Sequence, residues 1–279
     1  NGEVYNFREL RKELEAIGHR FRSSTDTEVV LRAYMSWGVS CLNRLEGMFA
    51  LAIWDCAERR LLLARDRAGI KPLHYGLTST GVAFASEIKS LLALPDFKAD
   101  VDPARIDEFL TLGYISAPRT AFRGIRKLLP GHYAIWKNGQ IESTPYWTRR
   151  AVVPIPESDW KEAFLDVFGK AVRRQMVSDV PIGGFLSGGI DSSLVVWMMS
   201  RAAGEPINTF AIGFNDDSSN EAPYAEEVAN RFSTSHEASV VSHDALGLLP
   251  SLVQQLDEPF ADSSIIPTFL ISRETRKSV

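Results

Sequence analysis

The sequence predicts two domains with different patterns: an α+β first half of helices layered on strand pairs, then an α/β second half built on a parallel sheet. Three observations carry this prediction. The chain has 279 residues, against roughly 150 for a typical domain. Hairpin signals run through the first half, and the strongest is Asn138-Gly139 between two strand-like segments. From Ser158 onward strand and helix alternate, the pattern of parallel strands with covered faces. Thr148 to Pro156, with Pro154 and Pro156, reads as a linker, so the domains are placed at 1–147 and 158–279 with 148–157 between them.

Taken in order, Phe7, Leu10, Leu14 and Ile17 recur at helical spacing. Asn6 stands as their N-cap, Glu9 as its capping-box partner, and Gly18 ends the helix. Ser23 to Glu28 caps a second amphipathic helix carrying Val29, Val30, Ala33, Tyr34 and Trp37, closed by Gly38. Met48–Trp54 and Leu61–Ala64 flank a polar turn and predict a hairpin. Arg65 and Asp66 follow, best read as an ion pair that holds the next loop. Another strand pair ends at Val82–Ala85, ahead of a helix from Ile88 to Leu94, and a further helix runs from Asp102-Pro103 to Leu112. Gly131–Trp136 then turns at Asn138-Gly139 toward Tyr146-Trp147. Two helices sandwiching sheets are the simplest account. In the second half a capped helix starts at Ser158-Asp159. It is followed by a strand 181–186, a helix 191–203, a strand 207–212, a helix 221–232, a strand 238–241 and a helix from His243.

Composition narrows the function classes. Hydrophobic residues at 45% and charged residues at 24% describe an ordinary soluble chain with a real core. A net charge of −4 gives no electrostatic case for nucleic acid or an anionic membrane. No apolar run approaches the roughly 20 residues of a membrane span. Cys41 and Cys56 make neither a disulfide framework nor a metal cluster, which fits a cytoplasmic location, and the five histidines show no ligand spacing. The chain opens at Asn1 without a Met and stops at Val279, which reads as an internal fragment.

The most informative stretch is Ser187-Gly188-Gly189-Ile190-Asp191-Ser192-Ser193, where a strand stops and a helix begins. Such a turn presents free backbone N–H groups with the positive end of the helix dipole behind them, a cradle for phosphate. Gly188 and Gly189 allow close approach of the backbone, and the hydroxyls of Ser187, Ser192 and Ser193 add donors. Asp191 would be repelled by phosphate unless it held a cation, which assigns it Mg²⁺. In a parallel sheet ligands sit at the carboxyl ends of strands, so Phe185 before the turn and Ile212 at the end of the next strand belong to the same site. The alternative is a Ser/Gly-rich turn with no ligand. The Walker pattern is absent, since Gly189 is followed by Ile190-Asp191.

The motif resembles the pyrophosphate loop of the ATP pyrophosphatases. Four segments of the first half (Asn1-Gly2-Glu3-Val4-Tyr5-Asn6, Thr25-Asp26-Thr27-Glu28, Gly47–Asp55 and Arg65–Leu73) resemble the glutaminase domain of glutamine-hydrolysing asparagine synthetases. Ser178-Asp179-Val180-Pro181, Ser187–Ser193 and Asp257-Glu258-Pro259 resemble their synthetase domain. The likeness covers essentially the whole chain and keeps the family's order.

The resemblance implies an N-terminal-nucleophile (αββα) glutaminase domain followed by an ATP-pyrophosphatase domain, with glutamine, aspartate and ATP as substrates, Mg²⁺ as cofactor, and room for a homodimer. Asn1 and Gly2 match the oxyanion hole, and Asn1, Glu3 and Asp26 match glutamine-binding positions. Glu258 and Asp262 become acceptor-side candidates. Plainer readings stand beside these: Asn1-Gly2 as a turn, Asp26 as an N-cap, Glu3 as a solvated charge, and Asp257-Glu258-Pro259 as a helix end. The family's nucleophile is a cysteine whose own α-amine is the base. Residue 1 here is Asn, and neither Cys41 nor Cys56 matches the nucleophile position, so the chain as given should not hydrolyse glutamine. Two other readings remain, a relative that activates a different carboxylate and a nucleotide-binding module without catalysis.

Overall fold

The computed structural model describes residues 1–149, 151–214, 220–241 and 247–279. The chain divides into two compact units, Asn1–Val152 with Leu256–Ala261, and Val153–Gln255 with Asp262–Val279.

The first unit contains β1 (Gly2–Val4), α1 (Phe7–Ala16), α2 (Asp26–Trp37), β2 (Gly47–Asp55), β3 (Arg60–Arg65), β4 (His74–Leu77), β5 (Val82–Ala85), α3 (Ile88–Leu92), α4 (Pro103–Leu112), β6 (Arg126–Lys127), β7 (His132–Lys137) and β8 (Gln140–Pro145). An antiparallel sheet runs in the order β1-β2-β3-β7-β8, and a smaller one in the order β5-β4-β6. The central strand β3 explains the layering. Leu62 and Ala64 pack with Leu10, Leu14, Val29 and Ala33 of α1 and α2. Leu61 and Leu63, on the other face, pack with Leu73, Tyr75 and Leu128 at the second sheet. A strand covered on both faces reads as a continuous apolar run. Beyond the second sheet, Ile88 and Leu91 of α3 form another cluster with Phe97 and Ile125. The order is therefore helix, sheet, sheet, helix.

Two local expectations are corrected. Asn6 makes no side-chain cap on α1. Its carboxamide is used at longer range, donating to Arg44 O at 2.9 Å and accepting from Glu46 N at 2.9 Å. Thr25 does cap α2, accepting from Glu28 N. Arg65 and Asp66 both stabilise the loop after β3, but through the backbone. Arg65 donates to the carbonyls of Lys71, Leu128 and Gly69. Asp66, only 1% exposed, accepts from the N–H groups of Phe49, Ala68, Ile70 and Lys71.

The second unit contains α5 (Trp160–Gln175), β9 (Gly183–Phe185), α6 (Ile190–Ala202), β10 (Asn208–Phe214), α7 (Ala222–Phe232), β11 (Ser235–Val241), α8 (Leu249–Gln255) and α9 (Ile265–Thr275). Its strands run β11-β10-β9 and all pairings are parallel. One core joins Val172 of α5, Val196 and Met199 of α6, Ile207 and Ala211 of the β10 region, and Ala225 and Ala229 of α7. The helix expected from His243 begins outside the described residues, and α8 starts at Leu249. Among the described residues no helix is long and apolar enough to cross a membrane.

Candidate functional site

Each unit carries one candidate site. In the first, β1 is an edge strand lying against β2, with Gly2 opposite Phe49 and Val4 opposite Gly47. Gly2 has φ +125, and a Cβ there would lie 2.0 Å from Met48 O, so no side chain fits. Asn1 exchanges both ladder bonds with Ala50, its nitrogen donating at 3.2 Å and its carbonyl accepting at 2.8 Å. By antiparallel alternation the N–H groups of Gly2 and Val4 then turn away from β2 toward the open edge. Val4 N donates there to Asp26 Oδ2 at 3.0 Å. Asp26 begins α2 directly after its cap, which fixes the carboxylate beside that edge. Asn1, Gly2 and Asp26 line one cavity of 640 Å³, with Thr25, Phe49 and Trp54 among its walls. Glu3 is exposed and is not among the residues lining it, while its neighbour Val4 is buried in the helical core. The cysteines are elsewhere. Cys41 is fully buried, which pushes its thiol up to about 11, and Cys56 is exposed.

In the second unit β9 ends at Phe185 and α6 begins at Ile190 with Gly189 as N-cap. Gly188 has φ +78, and a Cβ there would meet Tyr224 Cβ at 2.5 Å and the Tyr224 carbonyl carbon at 2.6 Å, so the turn rests against the start of α7. The hydroxyls tie the turn together. Ser187 Oγ and Ser192 Oγ are 2.9 Å apart, Ser187 N donates to Ser192 Oγ, and Gly189 N donates to Ser187 Oγ. Ser193 Oγ is buried with no hydrogen-bond partner. Ser187 and Ser192 share a cleft of 210 Å³ with Phe185 and Ile212, closed on one side by Pro267, Thr268 and Ile271 of α9. Asp191 is exposed in the first turn of α6. These groups fit a phosphate chain: a glycine turn without room for a Cβ, a helix N-terminus, and the Ser187 and Ser192 hydroxyls in the cleft lining. Glu221 also lines the cleft, and together with Asp191 in the first turn of α6 it gives a carboxylate set that fits Mg²⁺, which takes one or two carboxylates together with phosphate oxygens. Among the described residues no group of three or more His, Cys, Asp or Glu is arranged to hold a metal by itself.

The acceptor-side candidates fall in different units. Asp262 accepts from Ser264 N at 2.8 Å ahead of α9, a bond that lowers its pKa. Glu258 lies in the first unit, accepting from Ala121 N at 2.6 Å and pairing with Lys127. Its carboxylate is committed to structural partners there. Sequence reasoning missed the α9 wall of the cleft and the contact of Tyr224 with Gly188, because neither residue type carries a motif of its own.

Fold and sites together define the class: a four-layer α+β unit ahead of an α/β unit with a glycine-rich strand-to-helix turn. Residues 1–147 match the family model described as glutamine amidotransferase domain, and residues 163–279 the one described as asparagine synthase. The chain is 38% identical, along 100% of its length, to a Mycobacterium tuberculosis protein provisionally named asparagine synthetase (glutamine-hydrolyzing). It is 36% identical, along 88% of its length, to asparagine synthetase (glutamine-hydrolyzing) 3 of Bacillus subtilis. It spans 44% and 43% of those two proteins, less than half of either. The glutamine phosphoribosylpyrophosphate amidotransferase of B. subtilis superposes with a TM-score of 0.38 at 18% identity, over 85% of this chain and 44% of that one. The chain belongs to the family of glutamine-hydrolysing asparagine synthetases.

Proposed function

We propose that the protein is an ATP-dependent amide ligase that converts aspartate to asparagine through β-aspartyl-AMP, with ammonia from glutamine and with AMP and pyrophosphate as products. The observation that supports it best is the pairing, in one chain, of the Asn1-Gly2 edge with the Ser187–Ser193 turn. In the first unit the outward N–H of Gly2 and the carboxamide of Asn1 are aimed where an oxyanion would develop, and Asp26 holds the α-amino group of glutamine. Fixed donors of this kind act on the transition state rather than the bound substrate. In the second unit the turn holds the β and γ phosphates, Phe185 and Ile212 flank the nucleoside, and Asp191 would carry Mg²⁺. ATP, when bound, supplies an α phosphate for attack by the aspartate carboxylate and a leaving group for ammonia. The ATP-pyrophosphatase fold and a cytoplasmic location belong to the same reading, the latter supported by two unpaired cysteines.

Release of AMP and pyrophosphate by the native-length protein, given Mg-ATP and ammonium with and without L-aspartate, tests it. Aspartate-dependent release with accumulation of asparagine is the expected result. Release driven only by another carboxylate would move the protein to a relative with a different acceptor.

A further inference from the structure

Leu256–Ala261 follows α8 in the sequence but packs with the first unit, and it brings two carboxylates with it. Asp257 accepts from Ile88 N at 2.5 Å and Lys89 N at 3.3 Å, capping the N-terminus of α3. Glu258 accepts from Ala121 N and pairs with Lys127 Nζ at 2.5 Å. Both acidic side chains are only 15% exposed, so neither is a solvated surface charge. Lys127 is the cross-strand partner of His74. His74 is buried, and its Nδ1 lies 3.0 Å from Ser86 O, to which it donates. Ser86 in turn stands two residues before Ile88, and its hydroxyl accepts from Asn1 Nδ2 at 3.1 Å. Ser86 is therefore fixed at its carbonyl by His74 and just downstream by Asp257, and it holds the carboxamide of Asn1.

We infer that Ser86 is the positioning residue for the Asn1 carboxamide, and that Asp257, supplied by the synthetase half of the sequence, sets Ser86 through the start of α3. This rests on the reading of Asn1 as an oxyanion donor. The amide nitrogen carries two hydrogens. The bond to Ser86 uses one of them and fixes the plane of the group, which aims the other at the reacting carbonyl. An aim that matters only when negative charge develops affects kcat and leaves substrate binding alone. The glutaminase unit would then reach full activity only with segment 256–261 in place.

Glutaminase kinetics of the native-length protein test this, with ammonia-dependent asparagine formation as the control. Ser86→Ala should lower glutaminase kcat about 10-fold, since small misplacements of a reacting group cost that much or more, with KM within about twofold. Ser86→Thr should recover most of the loss. Asp257→Ala should give the same kcat-selective loss, with Asp257→Asn as the milder variant should the first fail to fold. In an Asn1→Ala background Ser86→Ala should add nothing. The inference is overturned if Asn1→Ala lowers kcat while the Ser86 and Asp257 variants do not, or if these variants lose ammonia-dependent activity equally. If Asn1→Ala itself leaves kcat unchanged, the oxyanion reading fails and takes this inference with it.

Discussion

The two candidate sites are held by different means. The edge at Asn1-Gly2 is fixed by backbone: ladder bonds with Ala50, a Gly2 that admits no Cβ, and behind β2 the buried Asp66 gathering four N–H groups. The turn at Ser187–Ser193 is held by its own side chains, with Ser187 and Ser192 bonded to each other and Ser193 Oγ left over. A backbone-built site stays formed whether or not substrate is present, as a site for a developing oxyanion requires. A hydroxyl-built turn keeps donors that can be redirected to an incoming phosphate. Four predictions test this contrast, beginning with the largest effect.

Asp66→Ala should be the most damaging. It strands the buried N–H of Phe49 and removes the acceptor from the partly buried N–H groups of Ala68, Ile70 and Lys71. Each orphaned buried donor costs about 1–3 kcal/mol. Urea unfolding followed by tryptophan fluorescence should show a loss of about 2 kcal/mol or more, with glutamine hydrolysis by the native-length protein falling in parallel. A loss under about 1 kcal/mol would mean that water replaces the carboxylate and that the first site is less rigid than its bonding suggests.

Gly188→Ala comes next. The new methyl group meets the Tyr224 backbone at a φ of +78, whereas a Cβ at Gly189 would meet only Ser187 Oγ at 3.3 Å. Left-handed backbone costs a non-glycine residue about 1–2 kcal/mol, and the clash adds to it. Adenylation should fall at least about 10-fold for Gly188→Ala and clearly less for Gly189→Ala. Equal losses would remove the argument that the turn must rest on α7.

Ser193→Ala should have opposite effects on stability and binding. Removing a buried hydroxyl that has no partner leaves stability unchanged or raises it by about 1 kcal/mol, while ATP affinity, measured by calorimetry, should weaken. Weakened stability together with unchanged affinity would place the hydroxyl in the core and outside the site.

These residues also show what the sequence could reveal. The strand-to-helix turn, the capping stretch Ser23–Glu28 and the β2–β3 hairpin are local features whose signals lie within a few residues, and they are legible, although the cap itself is Thr25 and not Asp26. Asn6 looked like a cap and is instead a bridge to Arg44 and Glu46, because its carboxamide found partners 38 and 40 residues away. Asp66 looked like half of an ion pair, since sequence shows charge but not which backbone groups surround it. The placement of Asp257 and Glu258 in the first unit was the least legible of all. Their partners Ile88 and Ala121 lie 169 and 137 residues away, beyond any pattern that spacing can show.

The smallest effect concerns acid stability and belongs to the cap of α2. Glu28 accepts from Ser23 Oγ at 2.8 Å, Ser23 N at 2.7 Å and Arg22 N at 3.0 Å. The Ser23 hydroxyl and then its N–H lower the Glu28 pKa from 4.5 to about 2. A folded pKa below the unfolded one means that the unfolded chain takes up the proton first, so this contribution is complete above about pH 4.5 and is lost as pH falls toward about 2. Glu28→Gln should lower stability slightly at pH 7 and make the fall between those values shallower. Glu108, also held at about 2 by its bonds to Ser116, still titrates in that window, so the acid limb should become less steep without vanishing. Parallel curves for the two proteins, measured as unfolding midpoints from pH 7 to 2, would show that Glu28 ionises freely and that Thr25 alone holds the start of α2. Asp26 depends on that start for its place beside the first site, so the same titration also measures how firmly the glutamine side of the site is anchored.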